Sequence, residues 1–440
     1  MTDPMTDPMA ARTNDGTNDG ANDGTSDMTI GTMVDCETAS GRVDPGRRSL
    51  LVRGAALGAA LGAVHLAGLA PARAAVPGRD PRLVTIVLRG ALDGLAAVTP
   101  VADPRLRELR PLLYEGRGTM LPLGPDFALN PALPGLHAMM ARGEARAVHA
   151  VATPYRGRSH FDGQDVLEAG APTRLATGWL NRAASTMGRR VALGRRVDGP
   201  AGLAIDHAVP LVLRGPAPVT TWAPGGGRNA DADLVVRVSG LLDNHDPALA
   251  DAMRRGADLD AMLAGAEGPR EHPFALKARR AGEVLARDDG PRVAALSFEG
   301  WDTHFAEGAL GGRLSSLLGQ LDDALAALKA GLGPAWRETV VVVVTEFGRT
   351  ARINGSLGTD HGTGTLALLA GGALAPGPAV TGEWPGLARL HEDRDLMPTT
   401  DLRALLKGVM GEHLGVSRRA LEGSVFPDSA GVLPMAGLIG

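Results

Sequence analysis

Arg292-Val293-Ala294-Ala295-Leu296-Ser297-Phe298, a leucine-rich stretch from Leu314 to Leu328, and Thr339-Val340-Val341-Val342-Val343-Val344-Thr345 decide the fold class. The two flanking runs are short, apolar on both faces and rich in β-branched residues, as suits central strands of a parallel sheet. Between them Leu314, Leu317, Leu318, Leu321, Leu325 and Leu328 recur at helical spacing, with Gln320, Asp322, Asp323 and Lys329 on the other side. Gly331 and Gly333 are read as the stop, and Pro334 follows. Strand, helix, strand in this order predicts a βαβ unit, hence a mostly parallel sheet sandwiched by helices. Three further runs fit the same sheet: 83–88, 147–152 and 365–370. Pro216 to Gly227 is a loop. Helical patterns near 246–265 and 272–287 predict a helical insertion or cap over about 215–290. Thr399-Thr400-Asp401 is an N-cap region for a helix from Leu402 to Val409.

The N-terminal part reads differently. Residues 1–46 carry MTDPMTDP and TNDGTNDGANDG, with too little apolar surface to offset the ordering of a chain, which predicts disorder. Residues 47–74 run from paired arginines, Arg47-Arg48, through an uncharged apolar stretch, Gly54 to Ala70, to the small-residue site Ala72-Arg73-Ala74. Basic region, apolar region and cleavage site in that order predict a twin-arginine export signal, so the protein is expected to be exported, periplasmic or extracellular. An N-terminal membrane anchor is the alternative for the same run. Residues 75–440 are expected to form a single α/β domain, with no stable membrane span after cleavage.

Composition excludes several functions. The whole chain of 440 residues has a net charge of -4, and without residues 1–74 it is nearly neutral; neither value suits a dedicated nucleic-acid binder. The one cysteine, Cys36, precedes the cleavage site, so no thiol is left to serve as nucleophile or metal ligand. The turn after the first strand, Arg-Gly-Ala-Leu-Asp-Gly, is not a dinucleotide fingerprint, which speaks against an oxidoreductase.

Ligands of α/β sheets bind beyond the carboxyl ends of the strands. There the sequence places Asp93; Arg158-Ser159-His160-Phe161-Asp162; Asp302-Thr303-His304; and Glu346-Phe347-Gly348-Arg349. Asp360-His361 stands before the run at 365–370. Oxygen and nitrogen donors of this kind suit one or two divalent metal ions. Each residue also has a plainer reading. Asp93 suits a turn, Ser159 a helix cap, Asp302 and His304 a hydrogen-bonded pair, and Glu346 a partner of Arg349 or Arg352. Asp360-His361 suits a tight loop, and Trp301 and Phe347 the core. Recurrence at successive strand ends is what favours a shared site. His149, inside a strand, is a core residue.

These motifs, together with Gly178-Trp179-Leu180-Asn181-Arg182 and Asp395-Leu396-Met397-Pro398-Thr399-Thr400-Asp401, occur in an order that closely resembles the DUF1501 family of exported bacterial proteins. The resemblance spans residues 47–430. That family resembles a distant branch of the alkaline phosphatase and sulfatase superfamily, which implies an alkaline phosphatase-like fold and a centre with one or two divalent metals. By that analogy Asp93, Asp302, His304, Glu346, Asp360 and His361 are the metal ligands. Ser159 is the candidate nucleophile, His160 stands in for a missing histidine, and Arg158 or Arg349 binds the substrate anion. The implied activity is hydrolysis of a small-molecule or polymer phosphate or sulfate ester. The alternative is a non-catalytic envelope protein that keeps the fold for binding. The partner implied during export is the twin-arginine translocase. Two departures from the superfamily pattern stand out: the central pair is spaced Asp-x-His, and Glu346 is followed by Phe347 rather than histidine.

Overall fold

The computed structural model describes residues 79–187, 191–192, 195–196, 199–224, 232–243, 245–264 and 271–440. The extension over 1–46 and the export signal over 47–74 lie outside the described residues. Among the described residues no helix is long and apolar enough to cross a membrane.

The main sheet uses β1 (Arg82–Arg89), β2 (Ala145–Ala152), β3 (Gly202–Ile205), β4 (Val219–Thr221), β5 (Val293–Glu299), β6 (Thr339–Thr345), β7 (Thr365–Ala370), β8 (Val380–Thr381) and β9 (Thr400–Asp401). Their order is β8-β2-β7-β6-β1-β5-β3-β4, with β9 also pairing β2. β1 lies between β5 and β6 and is parallel to both, with Ile86 opposite Leu296 on one side and Val343 on the other. β7 is antiparallel to β6 and to β2, and the remaining pairings are parallel. The sheet is therefore mostly parallel, as its apolar runs require.

Both faces are covered, which is why the strands lack polar alternation. Val84, Ile86, Leu88, Val341 and Val343 pack on one side, against the helices α3 (Pro273–Ala286) and α4 (Arg313–Leu332). Leu83, Val87, Val340, Val342 and Val344 pack on the other, with α2 (Trp179–Thr186) and α5 (Leu402–Leu414). A further helix, α1 (His160–Ala169), follows β2. Asp401 caps α5 by accepting from the Arg403 amide.

Two readings change. α4 runs through Gly331 to Leu332, and only Gly333, with φ 51°, ends it. Gly331 has a packing role: a Cβ there would sit 2.3 Å from the Arg279 carbonyl of α3, and one at Gly282 would sit 2.6 Å from the Leu328 carbonyl of α4. The two helices approach so closely that both contact points are glycine. Second, the segment read as an insertion is helical at 232–242, 247–264 and 273–286, but the last of these, α3, belongs to the sheet's own covering layer.

Gly331→Ala is expected to destabilise the protein by about 1–3 kcal/mol through overpacking, although alanine is the better helix former by about 1 kcal/mol. Leu321→Ala, at a buried α4 position, is expected to cost about 2–5 kcal/mol. Urea denaturation checks both; a stabilised Gly331→Ala protein would contradict the close approach.

Candidate metal centre

The carboxyl ends of β1, β2, β5 and β6 open onto one edge of the sheet. β7 runs the other way, so its amino end reaches the same edge. This is why His361 precedes its strand whereas the other candidates follow theirs.

Four atoms gather there, and those of His160, Asp302 and His361 all lie within 4.8 Å of one another. His361 Nε2 lies 2.8 Å from His160 Nε2 and 2.8 Å from His304 Nε2. Asp302 Oδ1 lies 3.1 Å from His304 Nε2, 3.4 Å from His361 Nε2 and 3.5 Å from His160 Nε2. The opposite nitrogen of each ring is already committed. His160 Nδ1 donates to Glu346 Oε1 at 2.7 Å, His304 Nδ1 to Asp360 Oδ1 at 3.0 Å, and His361 Nδ1 to the Arg158 carbonyl at 2.7 Å. All three acceptors lack a proton to give, so each Nδ1 carries the hydrogen, and a ring holding no second proton presents a lone pair at Nε2. Three lone pairs and a carboxylate oxygen thus face one another, and a single added proton cannot satisfy them all. A cation at their junction does. In a tetrahedral zinc site with bonds of roughly 2.0–2.1 Å, neighbouring ligand atoms stand about 3.4 Å apart; the distances from Asp302 Oδ1 to His361 at 3.4 Å and to His160 at 3.5 Å match this. Histidines whose second nitrogen is held by a carboxylate or carbonyl are the usual ligands of such ions. The residues present fit a borderline divalent metal.

The supporting contacts come from deeper in the protein. Glu346 is fully buried. Its Oε1 accepts from His160, from the Gly90 amide at 2.9 Å and from Gln164 Nε2 at 3.1 Å, and its Oε2 accepts from the Thr345 hydroxyl. Burial pushes the Glu346 carboxyl up, but these hydrogen bonds outweigh it and hold it below the ordinary value. The hydrogen bond that His160 donates to Glu346 raises the His160 pKa, against the effect of burial. Burial also raises Asp302, and Arg349 more than reverses this, leaving the carboxyl lowered. His361 is lowered, by burial first and then by the neighbouring His160 and Arg349. Phe347 stacks on the His160 ring at 4.9 Å. Gly90, at φ 116°, lets β1 turn under the site; a Cβ there would sit 2.5 Å from the Asp302 amide.

The structure places the expected residues as follows. Asp302, His304 and His361 lie together, and His160 lies with them. Glu346 and Asp360, expected as ligands, accept hydrogen bonds from His160 and His304. Asp93 is not at the cluster: its Oδ1 caps the short turn at Gly94–Ala97 and its Oδ2 pairs with buried Arg110 at 2.5 Å. Arg349, expected to bind an anion, is buried and spent on the carbonyls of Gly90, Ala91, Trp301 and Thr359 and on Asp302 Oδ1 at 2.6 Å. Arg158 turns its side chain to Glu392 and offers the site only its carbonyl. Ser159 caps α1 by accepting from the Asp162 amide at 3.4 Å. Two supporting residues escape a reading of the sequence. Gln164 stands one helical turn beyond His160, a spacing that places both on one face of α1. Asn354, which donates to Asp360 Oδ1 and to the His304 carbonyl, shows in the sequence only as an Asn-Gly turn.

Asp93 and Arg110 also enclose Glu307. Burial, and then the charge of Asp93, raise its carboxyl to about 8, so it is protonated at neutral pH in the folded protein. Its folded value exceeds the unfolded one. The unfolded chain therefore binds fewer protons between about pH 4.5 and 8, and stability from this group falls as pH rises through that window. Glu307→Gln should flatten the decline, as read by melting temperature at pH 6 and pH 8. At the cluster, His160→Ala, His304→Ala, His361→Ala and Asp302→Ala should each abolish stoichiometric metal in elemental analysis. Glu346→Gln should keep the metal but weaken its binding by about 10–100-fold, and Asp93→Asn should leave it bound.

Comparison with known proteins adds the following. No curated protein matches the sequence. The C-terminal periplasmic domain of EptC from Escherichia coli, solved in complex with Zn, is 10% identical, with a TM-score of 0.35, covering 67% of this chain and 74% of that one. Phosphonoacetate hydrolase from Sinorhizobium meliloti, in complex with phosphonoformate, is 17% identical, with a TM-score of 0.27, covering 63% and 59%. Phosphonate monoester hydrolase of Agrobacterium radiobacter is 12% identical, with a TM-score of 0.31, covering 77% and 74%. Likenesses this loose say nothing about substrate. Residues 133–425 match the family described as protein of unknown function, DUF1501. Matched over more than half of its length, the chain belongs to the DUF1501 family.

Proposed function

We propose that this protein is an exported, metal-dependent hydrolase of phosphate or sulfate esters. The observation that supports this best is the convergence of His160, His304 and His361 Nε2 with Asp302 Oδ1, each imidazole held in one tautomer from behind. Those four residues would hold a divalent ion, zinc being the type that suits three imidazoles and a carboxylate. When bound, such an ion polarises an ester oxygen and stabilises the charge that develops on it.

The remaining chemistry belongs to the chain. Glu346, Asp360 and the Arg158 carbonyl fix the rings, so that no reorganisation is needed when substrate arrives. Arg349 holds Asp302 ionised and in position. Asp302 and His304 each keep 43% of their side-chain surface exposed, which leaves the cluster open to a substrate from solvent. Among the described residues no base lies within hydrogen-bonding reach of the Ser159 hydroxyl, so water is the nucleophile in this reading. The segment over 47–74 supports export through the twin-arginine translocase.

One observation favours the rival, an envelope binding protein without turnover. Both arginines expected to grip a substrate anion are engaged in other contacts. Zinc-loaded protein offered 4-nitrophenyl phosphate, bis(4-nitrophenyl) phosphate and 4-nitrophenyl sulfate separates the two. A hydrolase turns over at least one of them, with kcat/KM reduced at least 100-fold in His361→Ala. Bound metal with no turnover of any ester would leave the binding protein.

A further inference from the structure

We propose that a cavity beside the histidine cluster takes the alkyl or acyl portion of the ester substrate, an inference that rests on the hydrolase reading above. The cavity measures about 470 Å³, within the range of roughly 300–1,000 Å³ common for small-molecule sites. Leu112, Leu113, Leu310, Ile353 and Leu357 line it, with Glu307 at its floor. Leu112 and Leu357 are 55% and 60% exposed, so its rim presents large apolar side chains to solvent. A single exposed leucine needs no explanation, but several around one concavity do.

The cavity adjoins the segment that carries His304. Ala306 also lines it and stands two residues after His304, which limits their backbone separation to about 7 Å. Between the lining residues Ile353 and Leu357, Asn354 Nδ2 and the Ser356 hydroxyl both donate to the His304 carbonyl at 2.9 Å. Between the two segments run hydrogen bonds from the Ala306 amide to the Ser356 carbonyl and from the Glu307 amide to the Leu357 carbonyl. They hold Ala306 at φ 41° and Leu357 at φ 58°, conformations that disfavour non-glycine residues and that recur at ligand clamps.

The floor makes the cavity selective for apolar groups. Arg110 donates to Asp93 and to the carbonyls of Thr350 and Ala351, and Glu307 accepts from the hydroxyls of Thr303 and Thr359. An ionic ligand would find these groups already paired. An alkyl chain needs no partner, and each methylene it buries tightens binding about fourfold. The ester head would lie at the histidines and the chain would extend past Ala306.

Calorimetry on zinc-loaded protein tests this with n-butyl phosphate, n-octyl phosphate and, as a probe that ignores the metal, 1-octanol. Two variants serve: Leu112→Asp, on an exposed helix position, and Leu357→Asn, whose new side chain tolerates positive φ. Near-ultraviolet circular dichroism confirms that both are folded. Octyl phosphate is expected to bind the unmodified protein at least about tenfold more tightly than butyl phosphate. That preference should fall below threefold in both variants, and octanol should bind only the unmodified protein. Equal affinity for the two phosphates, or a preference that survives in both variants, overturns the proposal. If neither zinc nor either phosphate binds, the hydrolase reading fails and octanol decides alone. Octanol binding that is lost in both variants keeps the cavity, whereas its absence or persistence removes it.

Discussion

The Arg349 guanidinium is the fixed point of the molecule's working edge. It is buried, yet every direction in which it donates ends on a loop that leaves the sheet: Gly90 and Ala91 after β1, Trp301 and Asp302 after β5, and Thr359 before β7. A buried cation without acceptors would be prohibitively costly, so those loops are obliged to present carbonyls and a carboxylate to it. In meeting that demand they bring Asp302 to a defined point. A lysine would supply the charge but not the planar fork that reaches several acceptors at once.

From that point the histidines follow by hydrogen bonding outward from the core. Glu346 is ionised because it gathers donors from β1, from α1 and from its own strand end, and its charge sets the proton on His160 Nδ1. Asp360 and the Arg158 carbonyl act in the same way on the other two rings. The result is a concave set of acceptors, with their hydrogens all on the protein side. Such an arrangement is electrostatically unfavourable by itself and favourable around a cation. That is the arrangement the proposed divalent ion would meet.

Much of the fold was legible. The unbroken valine run of β6 and the helical spacing of the α4 leucines are both strong signals, and their order forces a parallel crossover. What failed were local judgements. Gly331 reads as a helix stop because nothing in the chain announces that α3 passes within contact distance of it. Among site residues, Asp302, His304 and His361 were legible from their positions at strand ends. The order of contacts was not. A carboxylate after a strand reads the same whether it will face a cluster of imidazoles, as Asp302 does, accept from the back of one, as Glu346 does, or neutralise a buried arginine, as Asp93 does.

The sequence by itself determined the layers of this protein, the edge on which its chemistry sits and the residue types available there, because these depend on periodicity and on the direction of parallel strands. Tertiary structure alone decided which of those residues face one another. Asp93 and Asp302 are both acids in glycine-bounded loops beyond neighbouring strands. Arg110 captures the first and Arg349 presents the second to three histidines. Their different roles arise from partners 17 and 47 residues away in the chain, at separations that no local pattern encodes.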